Sequence, residues 1–149
     1  MVAHIAGMVH GGQQPISGAT IQLYATNTTT DKGASTALIS GTVTTDSNGN
    51  FTITGDYTCP TANPLVYLLA TGGNPGLGGS VNNTDIVLMA ALGTCSSLTS
   101  STYVVINELT TMLSVQALAP FMTDGKHIGE SPTNPVAIAG AMREVSGLN

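Results

Sequence analysis

Few residues in this 149-residue chain could do chemistry, and the two cysteines come first. Cys59 and Cys95 both lie in polar, loop-like stretches, Asp56-Tyr57-Thr58-Cys59-Pro60 and Gly93-Thr94-Cys95-Ser96-Ser97. Two thiolates alone cannot complete a structural zinc site, which takes four ligands. A disulfide is the leading reading and a pair of unlinked thiols the alternative. The disulfide would stabilise the fold by ~3–4 kcal/mol and place the protein outside the reducing cytosol. His4, His10 and His127 could in principle join a carboxylate at a metal. On a strand, however, His4 and His10 share a face but stand ~20 Å apart, too far for one ion. Glu108 with Asp124 or Glu130 could supply the acid and base of glycoside cleavage. No spacing ties these carboxylates together, and a capping glutamate with solvated loop acids is the plainer reading.

Other short motifs fail on a missing partner. His10-Gly11-Gly12 has the form of an esterase oxyanion loop, but no Gly-x-Ser-x-Gly nucleophile elbow accompanies it. Asp46, Asn48 and Asn50 could begin a calcium loop. Gly49 then falls at the wrong place, and Tyr57 stands where a bidentate glutamate belongs. Three glycosylation sequons occur, at Asn27, Asn50 and Asn82, which matter only where the transferase is present. No catalytic residue, metal or cofactor is expected.

Composition narrows the classes further. Hydrophobic residues make up 42% of the chain, so a core is affordable, whereas charged residues are only 7%. The net charge of −5 argues against nucleic acid, whose phosphates need clustered Lys and Arg. It also removes any polybasic membrane patch. No apolar run approaches the ~18 residues of a membrane span, so membrane insertion is not expected. Residues 1–9 lack the basic start and apolar block of a signal peptide, and the chain reads as a mature or excised piece. Ser, Thr, Asn and Gln must keep the surface wet in place of charge, a habit that suits an extracellular protein.

The elements that would position these residues are mostly strands. Ile5, Gly7 and Val9 alternate, and after Pro15 so do Ala19, Ile21 and Leu23 against Thr20, Gln22 and Tyr24. A third strand is expected over residues 38–45 and a fourth over 51–54. Between them Asn48-Gly49 is a strong hairpin signal. Residues 65–71 are apolar throughout and read as a central strand buried on both faces. Residues 72–83 are rich in breakers and read as a mobile loop. Residues 86–92 could be strand or helical turn. Thr102–Ile106 is a strand by β-branching. Asn107 caps a helix over about 108–119, with Glu108 in its first turn, an apolar stripe at Leu109, Met112, Leu113 and Leu118, and Pro120 at its end. Asn134-Pro135 opens a second helix to about Gly147, with Val136, Ala139, Met142 and Val145 facing the core.

Gly7-Met8-Val9, Pro15-Ile16-Ser17-Gly18-Ala19-Thr20-Ile21-Gln22-Leu23 and Thr44-Thr45-Asp46-Ser47-Asn48-Gly49-Asn50-Phe51 together resemble the CnaB-like modules, also called prealbumin-like or carboxypeptidase-regulatory-like. The resemblance covers roughly residues 3–71. It implies a seven-stranded Greek-key β-sandwich from a bacterial surface or secreted protein, acting as stalk, spacer, adhesin part or pilus subunit. Many such modules carry a Lys–Asn isopeptide bond promoted by a buried acid. Here the first strand has no lysine, Lys32 and Lys126 fall in loops, and Glu108 is the one carboxylate placed for burial. An ester analogue from a Thr to Gln13 or Gln14, using a His, is a lesser alternative.

The reading that follows is mainly β: a sandwich over residues 1–106, with two C-terminal helices over 107–149 packed on it as an extension of the same domain. The expected role is non-catalytic and extracellular or cell-surface: a stalk, an adhesin part, or a subunit of a filament or other assembly. Its partners are copies of itself or other surface proteins. The uncharged first strand, with Val2, His4, Ile5, Met8 and Val9, is expected to add to a neighbour's sheet edge. The alternative is a glycan- or small-ligand-binding module using residues 72–83 and a face of Tyr24, Tyr57 and Tyr103. A hydrolase comes third.

Overall fold

Alternating apolar residues give strands where the sequence places them, as seen in a computed structural model describing residues 5–53, 57–61, 63–76, 82–99 and 101–131. β1 (Ile5–Gly11) turns through Gly12 into the short β2 (Gln14–Pro15), and β3 (Thr20–Ala25) follows. β4 (Thr36–Ala37), β5 (Val43–Thr44) and β6 (Asn50–Ile53) are short, whereas β7 (Leu65–Thr71) and β8 (Val87–Thr94) are long. β9 (Thr102–Ile106) leads directly into the helix α1 (Glu108–Leu118). A hairpin of β10 (Met122–Asp124) and β11 (His127–Ile128) comes last among the described residues.

These strands make two principal sheets. In the first, β1 lies between β6, which is antiparallel to it, and β9, which is parallel, and β2 pairs with the far end of β1. The second is antiparallel throughout: β4 and β5 lie along one side of β3, then β7, then β8. Ile5, Val9, Phe51, Val104 and Ile106 of the first sheet share one buried core with Ile21, Leu23, Val66, Leu68 and Ala90 of the second. The other face of the second sheet buries Tyr67, Leu69, Met89 and Ala91 under Leu118, Phe121 and Ile128. This second layer explains why residues 65–71 lack a polar alternation: Leu65–Ala70 are all buried, on both faces of the sheet. The ambiguous run at 86–92 is a strand for the same reason.

Three expectations need correction or restriction. The third strand is not continuous over 38–45: within that range β5 covers Val43–Thr44, β4 lies just before it at Thr36–Ala37, and the Gln22 side-chain amide bridges the break between them. Its Oε1 accepts the Ile39 N–H at 3.0 Å and its Nε2 donates to the Ile39 carbonyl at 3.1 Å. Nor does Asn48-Gly49 join paired strands. β5 belongs to the second sheet and β6 to the first, so the turn is a corner between sheets. Asp46 Oδ1 holds that corner by accepting the N–H groups of Asn48 and Asn50, both at 2.9 Å. Gly49 has φ 76°, and a Cβ there would also meet the Val9 carbonyl at 2.5 Å. The expected second helix from Asn134 lies outside the described residues. Among them, α1 is the one α-helix.

Gly7 shows how tightly the first sheet is packed. A Cβ at this position would stand 2.7 Å from the Phe51 ring on the paired strand, closer than packed atoms allow. Gly7→Ala is therefore expected to lower stability by about 1–3 kcal/mol through overpacking. Urea unfolding at constant m-value measures it, and an unchanged midpoint would contradict the packing account.

Candidate functional site

A sheet edge presents unpaired N–H and C=O groups, and proteins cover such edges or blunt them. This molecule treats the edges of its two sheets differently. On the second sheet, the outer edge of β8 is covered by α1. The Met89 N–H donates to Thr111 Oγ1 at 2.8 Å, and the Ala91 N–H donates to Ser114 Oγ at 3.2 Å. Thr110 Oγ1 donates to the Met89 carbonyl at 2.9 Å. Three hydroxyls of a helix thus stand in for a further strand. The helix is placed for this by its cap: Asn107 Oδ1 accepts the Thr110 N–H at 2.9 Å, and Thr110 Oγ1 accepts the Asn107 N–H at 3.0 Å. Glu108, in the first turn, accepts the Gly12 N–H at 2.6 Å and ties the helix start to the β1–β2 turn.

Of the expected apolar stripe of α1, Leu118 is buried and Leu113 packs half-buried on the second hydrophobic layer, whereas Leu109 and Met112 face out. Leu109 and Met112 are 58% and 55% exposed, while Thr110, Ser114 and Leu118 are buried. The helix faces the strand with the side chains that can hydrogen-bond an edge, because buried backbone polar groups must be paired.

The first sheet has no such cover on β9 among the described residues. Val9 bonds to Gly49 and Ile16, so the odd-numbered residues of β1 turn their backbone groups toward β6 and β2, and Ala6 and Met8 turn theirs toward β9. In the β1–β9 register this commits Thr102, Val104 and Ile106 to β1 and leaves the N–H and C=O of Tyr103 and Val105 facing outward. The same alternation buries Val104 and Ile106 and leaves the Tyr103 side chain 57% exposed. No charged residue occurs in the Thr-Tyr-Val-Val-Ile stretch.

This arrangement also corrects the assembly strand expected at the N-terminus. β1 is the interior strand of its sheet, with hydrogen-bonded neighbours on both sides, so Ile5, Met8 and Val9 have no edge to offer. Ile5 and Val9 are fully buried. Val2 and His4 lie outside the described residues.

The three tyrosines do not form one face. Tyr24 stacks on Tyr67 beneath the helical layer, with ring centroids 5.5 Å apart. Tyr57 is buried in the core between the sheets, and Tyr103 stands on the open side of β9. Cys59 and Cys95 form a disulfide. It ties the crossover entering β7 to the end of β8, where the Cys95 N–H donates to the Pro64 carbonyl at 2.9 Å.

Several of the remaining ionisable groups have identified partners. His127 Nδ1 is 2.8 Å from Asp124 Oδ1 on the exposed β10–β11 hairpin, and this hydrogen bond, followed by the Lys126 N–H, holds the Asp124 carboxyl below its ordinary range. Burial pushes the Tyr67 phenol well up, and its hydroxyl donates to the Gly125 carbonyl at 2.7 Å. Glu108 accepts from the Gly12 N–H and is exposed. Lys32 and Lys126 are exposed in loops.

No known protein family, curated protein or solved structure matches this chain. The edge-covering residues were readable only in part. The Thr110, Thr111, Ser114 spacing puts hydroxyls on one helical face, a signal that competed with the leucines around it.

Proposed function

We propose that the chain is a non-catalytic, extracellular structural module of the CnaB-like, prealbumin-like kind, and that it self-associates through β9. The observation that carries this reading is the contrast between a β8 edge covered by three hydroxyls and a β9 edge that is uncharged and, among the described residues, uncovered. The fitting occupant is a second copy of the same strand. Two β9 strands related by a two-fold axis at Val104 run antiparallel, with Tyr103 opposite Val105 of the partner copy and the reverse. Each such pair exchanges two hydrogen bonds, and an aromatic residue beside a β-branched one is a favourable cross-strand pair. With no charge on β9, no like-charge repulsion opposes the contact.

The strand arrangement supports the family reading. Counting β4 and β5 as one interrupted strand, and β2 as the arm of a turn, gives three strands facing four. The disulfide supports an oxidising compartment. Light scattering behind size exclusion, on non-reduced protein at several concentrations, is expected to give a mass rising to twice 15.0 kDa. Val105→Pro removes an outward N–H that takes no part in the β1–β9 ladder, so the fold should survive and the dimer should not. Val105→Lys should act likewise through charge. A wild-type monomer at every concentration, or a dimer indifferent to both variants, sinks the proposal.

A further inference from the structure

Asn48-Gly49 is the one Asn-Gly pair in the chain, and it lies at the corner where the backbone leaves the second sheet for the first. An asparagine followed by glycine is open to attack by its own backbone, because glycine has no side chain to shield the nitrogen that attacks. The Asn48 side chain is exposed on the turn. Other asparagine side chains are occupied: the Oδ1 atoms of Asn27, Asn63, Asn82, Asn83 and Asn107 each accept a backbone N–H. None of those five precedes a glycine.

The attacking nitrogen is latched in the folded chain. Gly49 is buried, and its N–H donates to the Asp46 carbonyl at 3.0 Å. Asp46 Oδ1 closes the same turn by accepting the Asn48 and Asn50 N–H groups. The Gly49 carbonyl accepts the Val9 N–H at 2.8 Å, and a Cβ on Gly49 would meet Pro15 at 3.0 Å. The corner therefore rests against β1 and β2. A buried, hydrogen-bonded N–H yields its proton to hydroxide only when the turn opens locally.

We infer that Asn48 is a site of spontaneous conversion to isoaspartate, gated by the turn that Asp46 holds. When the turn opens, the Gly49 nitrogen gives its proton to hydroxide and attacks Asn48 Cγ. The new N–Cγ bond closes a succinimide ring. The Cγ–Nδ2 bond breaks, and the amide nitrogen takes a proton from water and leaves as ammonia. A second water then opens the ring at either carbonyl. One opening gives aspartate. The other gives isoaspartate, whose main chain runs through Cγ and is one carbon longer. Overall one water is consumed and one ammonia released, with no change of oxidation state. Either product adds a negative charge to the net −5. With the longer chain, Gly49 cannot keep both its N–H on Asp46 and its carbonyl on Val9, so isoaspartate loosens the corner and aspartate does not. The site is independent of the β9 edge.

The test is incubation of the full, disulfide-intact chain in neutral and in mildly alkaline buffer. Isoaspartate is read with an isoaspartate-specific methyltransferase and located by peptide mass mapping. It should appear first at Asn48, and faster in the alkaline buffer. Asp46→Ala releases the Asn48 and Asn50 N–H groups and should speed the reaction about tenfold, the worth of one hydrogen bond. Wild type unfolded in urea should react faster than folded wild type, which measures the gate without any substitution. Asn48→Gln, at an exposed side chain, should abolish the signal at this position. Freshly purified Asn48→Asp should keep the wild-type urea midpoint, and aged protein enriched in isoaspartate should unfold at lower urea. No isoaspartate, or isoaspartate arising first at another residue, overturns the inference. So does a rate that neither Asp46→Ala nor unfolding increases.

Discussion

Replacing Cys59 and Cys95 together by alanine lowers the free energy of unfolding by about 4 kcal/mol. The bond spans 36 residues, and the chain-entropy model gives about that figure for a loop of this length. The loop it closes contains all of β7 and β8, the two strands that share both hydrophobic layers. Without the bond, the crossover entering β7 is held by Tyr57 in the core and by the Cys95 N–H on the Pro64 carbonyl. For a domain of this size the loss corresponds to a melting temperature lower by about 8–16 °C. Against a typical total of about 5–15 kcal/mol, the variant folds marginally. Calorimetry of the oxidised wild type and the double variant measures the difference, and coincident transitions would refute the assignment of stability to this bond. Dithiothreitol should reproduce the variant's curve in the wild type.

What the sequence made legible follows from how locally each feature is determined. A period of two is a property of the chain itself, so Ile5, Gly7, Val9 and Ala19, Ile21, Leu23 were readable as inward-facing rows, and all six are buried. β7 was readable because burial on both faces removes every polar residue from a strand. The cap at Asn107 was readable because its partner lies three residues away. Strand neighbours, by contrast, are fixed by pairing over long distances. Nothing within residues 5–9 tells whether β1 is an edge or a centre; β9, about a hundred residues on, decides it. The Asn48-Gly49 turn likewise announces a reversal without naming the sheets it connects.

The role of α1 gives the second large effect. Thr111→Val combined with Ser114→Ala is expected to destabilise the fold by about 2–6 kcal/mol. Each substitution strands a backbone N–H of β8, at Met89 or Ala91, beneath a helix that excludes water, and a buried unsatisfied donor costs about 1–3 kcal/mol. Valine preserves the size of threonine, and alanine removes one oxygen from serine, so little of the loss comes from packing. By comparison, Leu109→Ser and Met112→Ser alter exposed side chains that an amphipathic-helix reading would place in the core. They should stay within about 0.5 kcal/mol, as surface changes do. Denaturant midpoints for both pairs of variants separate the two descriptions of the helix. If the leucine and methionine changes prove the costly ones, α1 is a packing helix. The reverse order means that it acts as the missing strand of the second sheet. In that case the unfolding of α1 should expose β8 and bring concentration-dependent aggregation, because an uncovered, uncharged edge pairs with whatever edge it meets.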